Sequence, residues 1–153
     1  MDKLIKETLD EYKSLIDSKK DSKISFSKYR VEKPWGYELW LELNEFYVYK
    51  LICMYKGSKS SLQSHEYKYE TNFIIEGEVE VLLENDNGEL ESNIFLAGSG
   101  WTVPIGRKHR VIAKTNYKAL EVSSPHLNDV IRYQDDFNRE SGKINNEHLI
   151  NNV

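Results

Sequence analysis

The chain is short of cysteine, proline and glycine: its 153 residues hold one, three and eight of them. With Cys53 alone, an internal disulfide and a cysteine-only metal cluster are both excluded, so any metal must be held by nitrogen and oxygen ligands. No apolar run approaches the ~20 residues that a membrane-spanning helix needs. Residues 1–20, MDKLIKETLDEYKSLIDSKK, also lack the apolar centre of a secretory signal, which points to a cytoplasmic protein without a membrane partner. Positive charge is not in excess: 21 Lys+Arg against 25 Asp+Glu leave a net charge of −4. That balance argues against nucleic acid as a partner, because phosphate binding relies on clustered Lys and Arg. What is present, 39% hydrophobic and 30% charged residues, suits a folded domain and not a disordered tail.

Three segments follow from the pattern. In residues 1–30, Leu4, Ile5, Leu9, Tyr12, Leu15 and Ile16 recur at helical spacing, and a Ser/Lys-rich connector follows them. This N-terminal amphipathic helix should pack on the domain surface or on a second subunit. Residues 31–139 read as short strands. FYVYKLICMY (46–55) places Lys50, Ile52 and Met54 on one face and Tyr49, Leu51 and Cys53 on the other. Val79, Val81 and Leu83 alternate with Glu78, Glu80 and Leu82, and Asn85-Asp86-Asn87-Gly88 marks a hairpin turn. Arg110–Ala113 is expected to pair with Ala119–Val122 across Thr115-Asn116, and Asp129–Tyr133 to form a last strand. Closely spaced short strands of this kind indicate an all-β sandwich or barrel. Residues 140–153 form a polar tail, expected to fray or to make a short helix. The helix and the exposed strand edges suggest a homodimer.

A spaced polar set lies within the strand region: Gly57-x5-Gln63-x-His65-x4-Glu70-x6-Gly77, then Gly98-x5-Pro104-x-Gly106-x2-His109. Gln63 and His65 share a strand face, Glu70 follows a short turn, and His109 follows the turn at Gly106. In a small barrel all four side chains can converge. One amide oxygen, two imidazoles and a carboxylate suit one divalent first-row metal ion, with Zn, Mn, Fe, Co and Ni equally compatible.

These two patterns resemble the two motifs of the cupin superfamily, with Gln63 standing where the first motif histidine is usual. The Gln-x-His variant, Lys33-Pro34-Trp35-Gly36, Ser61-Leu62-Gln63 and residues 120–139 are similar to the type II mannose-6-phosphate isomerase branch. The resemblance implies an all-β double-stranded β-helix, the cupin jelly-roll barrel, with Gln63, His65, Glu70 and His109 as metal ligands. The chain departs from that branch at Tyr67, Lys68, Asn72 and Ala113, so the metal site carries over better than the residues expected around a substrate.

The implied activity is metal-dependent processing of a sugar or sugar phosphate, most concretely an aldose–ketose isomerase. Such a reaction needs an oxyanion stabiliser and a proton-transferring base. Glu121, Lys68 and Tyr67 are the catalytic candidates, with Glu121 marked out as a carboxylate on an apolar strand. Tyr49 is a further candidate at the substrate, and Lys108 and Arg110, from the Arg107–Arg110 cluster, are candidates for an anionic substrate group. Two other functions fit the same residues: a non-catalytic carbohydrate-binding or regulatory cupin, and another sugar-nucleotide-modifying enzyme such as an epimerase.

Overall fold

A computed structural model describes residues 1–151. One helix, α1 (Lys3–Asp17), precedes eleven strands. These are β1 (Tyr29–Lys33), β2 (Gly36–Leu43), β3 (Val48–Met54), β4 (Leu62–Ser64), β5 (Glu70–Glu76), β6 (Glu78–Glu84), β7 (Leu90–Leu96), β8 (Gly100–Val103), β9 (His109–Ala113), β10 (Tyr117–Ser123) and β11 (Ile131–Gln134). A 3-10 helix, Asn145–Asn151, follows them. No helix among the described residues is long and apolar enough to cross a membrane.

The strands form two antiparallel sheets that face each other, ordered β1-β2-β3-β10-β5-β8 and β11-β4-β9-β6-β7. This is the jelly-roll arrangement expected from the motifs. Period-two alternation sends one side-chain set of each strand inward. On β3 the inward set is Val48, Lys50, Ile52 and Met54; on β5 it is Glu70, Asn72 and Ile74; on β10 it is Tyr117, Ala119, Glu121 and Ser123. Between the sheets, Ile52, Met54, Ile74, Val79, Val81, Val103 and Ala119 close one end of the barrel as an apolar core.

The expected hairpin of Arg110–Ala113 with Ala119–Val122 does not form. β9 pairs with β4 and β6, whereas β10 pairs with β3 and β5, so the turn at 114–116 carries the chain from one sheet to the other. The reason lies in what the strands carry. His109 and Glu121 both belong inside, and two facing sheets let them approach the same cavity from opposite walls. Gly77 lies against this crossover with φ +92°, and a Cβ there would meet Asn116 O at 2.3 Å. Glycine is therefore required both by the backbone conformation and by the space.

Helix α1 begins with Asp2, whose side chain accepts the Leu4 N–H at 2.8 Å. It buries Thr8, Tyr12 and Ile16, one turn apart, and packs on β2 beside Tyr29, Val31, Trp40 and Leu43. Its most apolar face is thus used on its own barrel, and the helix no longer supports the homodimer argument.

The tail departs from the expectation of fraying; its last two residues, Asn152 and Val153, lie outside the described residues. Residues 145–151 fold across the barrel mouth. Glu147 is buried between Lys33 Nζ at 2.6 Å and Arg139 Nη1 at 3.1 Å. His148 Nδ1 meets Tyr29 Oη at 3.2 Å, and its ring lies against Tyr12 and Trp40. The polar residues that read as solvated are instead paired, Glu147 with Lys33 and His148 with Tyr29, with partners more than a hundred positions away.

Burial, with Lys33 and Lys143 nearby, lowers the His148 pKa from 6.5 to about 4. The undocked tail therefore takes up a proton more readily than the docked one. The associated stability is complete above pH 6.5 and is lost as the pH falls toward 4. The melting temperature of the wild-type chain should fall relative to that of His148→Gln across this window and not above it. The protection of amides at 145–151, taken relative to their intrinsic exchange rates at each pH, should fall over the same range.

Candidate metal centre

Short-range geometry places the site. β4 ends at Ser64, and His65 follows directly; β5 opens on Glu70 and β9 on His109, with Gln63 paired to His109 in register. His65 Nδ1 lies 2.6 Å from Asp129 O, and His109 Nδ1 lies 3.1 Å from Arg107 O. A carbonyl can only accept, so each Nδ1 carries a proton, and in the neutral imidazole Nε2 then presents a lone pair. Those lone pairs face a carboxylate: His65 Nε2 is 3.4 Å from Glu70 Oε2 and His109 Nε2 is 3.8 Å from Glu70 Oε1. His65 Nε2 is buried without a hydrogen-bond partner among the described residues.

Acceptors facing acceptors call for a cation. The ligand atoms of His65, Glu70 and His109 lie within 4.8 Å of one another, so this triad could hold a metal ion. Burial, partly opposed by Glu70, pushes the His109 pKa down to about 4 and keeps its imidazole neutral, as a ligand must be. Burial alone would raise the pKa of Glu70, but the Lys68 ammonium together with His65 and His109 outweighs it and holds the carboxyl well below its usual range. Gln63 stands at the edge. Its Oε1 accepts from Ser61 Oγ at 2.6 Å, and its Nε2 lies 3.5 Å from His109 Nε2. A 180° rotation of the amide would turn the oxygen toward the triad and let the nitrogen donate to Ser61.

The other candidates divide into two groups. Lys68 and Glu121 are buried in the cavity, with Lys68 Nζ 2.6 Å from Glu70 Oε2 and 3.0 Å from Glu121 Oε1. Burial opposes the charge on Lys68, but the two carboxylates outweigh it and raise its pKa. Tyr67, Tyr49, Arg110 and Lys108 lie outside. Tyr67 is 46% exposed with its ring beside His126, and Tyr49 packs on Phe26 across the outer sheet face. Arg110 alternates with inward His109, so it points outward, donating to Ser60 O at 2.8 Å and to Asp136 at 2.7 Å. Lys108 Nζ sits 4.6 Å above the Tyr133 ring. The cations that line the cavity are instead Lys33, Lys50, Lys68, Arg132, Arg139 and Lys143.

Sequence reasoning missed two features. Asp129 holds the loop after His65: its carboxylate accepts the N–H groups of Glu66, Tyr67 and Lys68 at 3.0, 2.7 and 2.8 Å. Glu38 and Lys50 form a second buried ion pair at 3.1 Å, and Trp40 Nε1 donates to Glu38 at 2.8 Å. Despite burial, Lys50 and Lys33 lower the Glu38 pKa to about 2. The available signal was parity, since Glu38 alternates in step with Trp40 and Lys50 in step with Ile52 and Met54.

A family model described as mannose-6-phosphate isomerase C-terminal matches residues 19–135. The chain belongs to this cupin-type family. A comparison with curated proteins finds no match. Among solved structures, the cupin resembles Bacillus subtilis oxalate decarboxylase at pH 4.6, with 20% identity and TM-score 0.63 over 74% of this chain and 32% of that one. It also resembles KdgF from Halomonas sp., with 17% identity and TM-score 0.54 over 61% of this chain and 82% of that one. The chain thus spans about a third of the length of that oxalate decarboxylase, and at these identities both likenesses are of fold alone.

If the triad is the ligand set, His65→Ala and His109→Ala should each remove divalent-metal binding, measured by elemental analysis after dialysis against Mn or Zn, with the circular dichroism of the barrel retained. Asp129→Ala keeps the carbonyl on His65 but frees three amides. It should weaken metal affinity about 10- to 100-fold, as the loss of outer-shell support does elsewhere. Undiminished binding in His65→Ala would sink the assignment.

Proposed function

We propose that this cupin is a metal-dependent enzyme acting on a sugar or sugar phosphate by aldose–ketose isomerisation. The observation that carries the reading is the juxtaposition, in one cavity, of the His65–Glu70–His109 donor set and the Glu121 carboxylate. His65, Glu70 and His109, with Gln63 beside them, would hold one divalent ion, which when bound polarises carbonyl and hydroxyl oxygens. Zn, Mn, Fe, Co and Ni all suit the donor set. A structure of the Bacillus subtilis oxalate decarboxylase concerns Mn(II) centres, which makes Mn a first choice for loading.

Glu121 is the base in this reading. Lys68 holds only Oε1, so Oε2 is available to take a proton from one substrate carbon and return it to the neighbouring one. Lys68, charged throughout the working pH range, fixes Glu121 and Glu70 in register and can donate to an oxyanion. The apolar core below and residues 145–151 above limit bulk water around the reacting carbons, which guards them from side reactions. Tyr67, Tyr49, Arg110 and Lys108 take no part in this scheme, because each faces away from the cavity.

A second reading, carbohydrate binding without turnover, draws support from Lys68, which already pairs with both carboxylates. Proton exchange separates the two. The metal-loaded protein, incubated in deuterated water with mannose 6-phosphate, glucose 6-phosphate and fructose 6-phosphate, should replace the C2 proton of an aldose in an NMR time course. Glu121→Gln should slow that exchange by roughly 10²–10⁴-fold, the usual worth of a positioned base, at unchanged metal content. Binding without exchange at full metal occupancy would favour the second reading.

A further inference from the structure

One row of inward side chains crosses the larger sheet beside the triad. Register sets Trp40 opposite Lys50, Lys50 opposite Glu121, Glu121 opposite Asn72, and Asn72 opposite Trp101. All five are buried and all five line the cavity. Asn72 is the next inward position after Glu70 on β5, so the row lies one rung, roughly 7 Å, from the triad's carboxylate.

The two ends of the row differ. Trp40 Nε1 is satisfied by Glu38 at 2.8 Å. Trp101 is 7% exposed, and its Nε1 is buried with no hydrogen-bond partner among the described residues. The packing of Trp101 on Phe95, with ring centres 5.4 Å apart, would be served equally by a phenylalanine. The indole N–H is therefore a surplus donor, which a buried site does not carry without cost. Next to it, the Asn72 amide nitrogen has only a 3.4 Å contact to Glu70 Oε1.

We propose that Lys50, Glu121, Asn72 and Trp101 form a hydroxyl-reading subsite that selects a polyhydroxylated carbon chain over a small dicarboxylate; the proposal rests on the sugar reading above. Along the row the groups run ammonium donor, carboxylate acceptor, amide with both functions, and indole donor. A hydroxyl donates and accepts at once, so successive hydroxyls can satisfy such a series. A dicarboxylate has only acceptors and would set its charge against Glu121. The cavity these residues line measures about 110 Å³.

The test is calorimetric titration of the Mn-loaded protein with fructose 6-phosphate, its 4-deoxy analogue and oxalate. Trp101→Phe removes the N–H and keeps the aromatic packing. It should weaken fructose 6-phosphate binding about five- to twentyfold, narrow the preference over the deoxy analogue, and leave metal stoichiometry unchanged. Asn72→Ala, read in the same way, decides the matter if Trp101→Phe does not fold. Sugar binding equal to wild type in both variants would overturn the subsite and leave the sugar reading intact. Oxalate binding with no sugar binding to the loaded wild-type protein would overturn both.

Discussion

Burying Glu70 inside the barrel sets the terms for the rest of the site. A carboxylate withdrawn from water needs cationic partners close by, and ordinary packing cannot supply them. Lys68 meets one of its oxygens at 2.6 Å. Lys68 is itself buried and is held by a second carboxylate, Glu121. The imidazoles of His65 and His109 complete the surround, but each donates its Nδ1–H to a backbone carbonyl, which leaves Nε2 of the neutral ring as a lone pair facing Glu70. The arrangement is therefore saturated with acceptors on one side of Glu70 and neutralised on the other. That asymmetry separates a place for a cation from a place for proton transfer within one small space.

The topology makes this asymmetry possible. His65 and His109 come from the β4–β9 side, while Glu70, Lys68 and Glu121 come from the β5–β10 side. Strands joined as local hairpins would keep both groups in one sheet with parallel side-chain vectors. The crossover after β9 places them on facing walls instead. The mouth follows the same rule as the centre: Glu147 lies between Lys33 and Arg139, and Arg139 is further held by Asp135 at 2.9 Å. From the metal triad outward to the tail, the buried carboxylates Glu70, Glu121 and Glu147 are each met by a cation.

What the sequence revealed follows the range of the interactions. Gln63, His65, Glu70 and His109 were legible because each sits a fixed short distance from a turn, at Gly57, Gly77 or Gly106, and turn chemistry is local. The expected substrate contacts were less so. Arg110 looked like a rim cation because it sits in a basic cluster, yet adjacency to His109 on a strand obliges it to point the other way. Tyr49 is excluded by the same parity that brings Lys50 inward. Tyr67 and Lys68 are neighbours in a loop where parity gives no guide; the Asp129 carboxylate holds that loop by three backbone amides. The tail was misjudged because polarity stands for solvent only when the partners are unknown, and those of Glu147 and His148 lie in β1 and α1.

The buried ion pairs in so small a cavity, among them Glu38–Lys50, Lys68–Glu70 and Lys68–Glu121, are a poor choice for stability alone. Apolar side chains of similar size would commonly stabilise such an interior as well or better. The apolar half of the same barrel, around Ile74, Val79, Val81 and Val103, shows that this fold fills space in that way where nothing else is asked of it. The boundary between the halves falls within single strands. β3 runs from Lys50 to Ile52 and Met54, and β5 from Glu70 and Asn72 to Ile74. Polarity thus changes along single strands. The inward charged positions of β5 and β10 lie at the triad or one rung from it, which ties the cost of burying them to the chemistry of that one site.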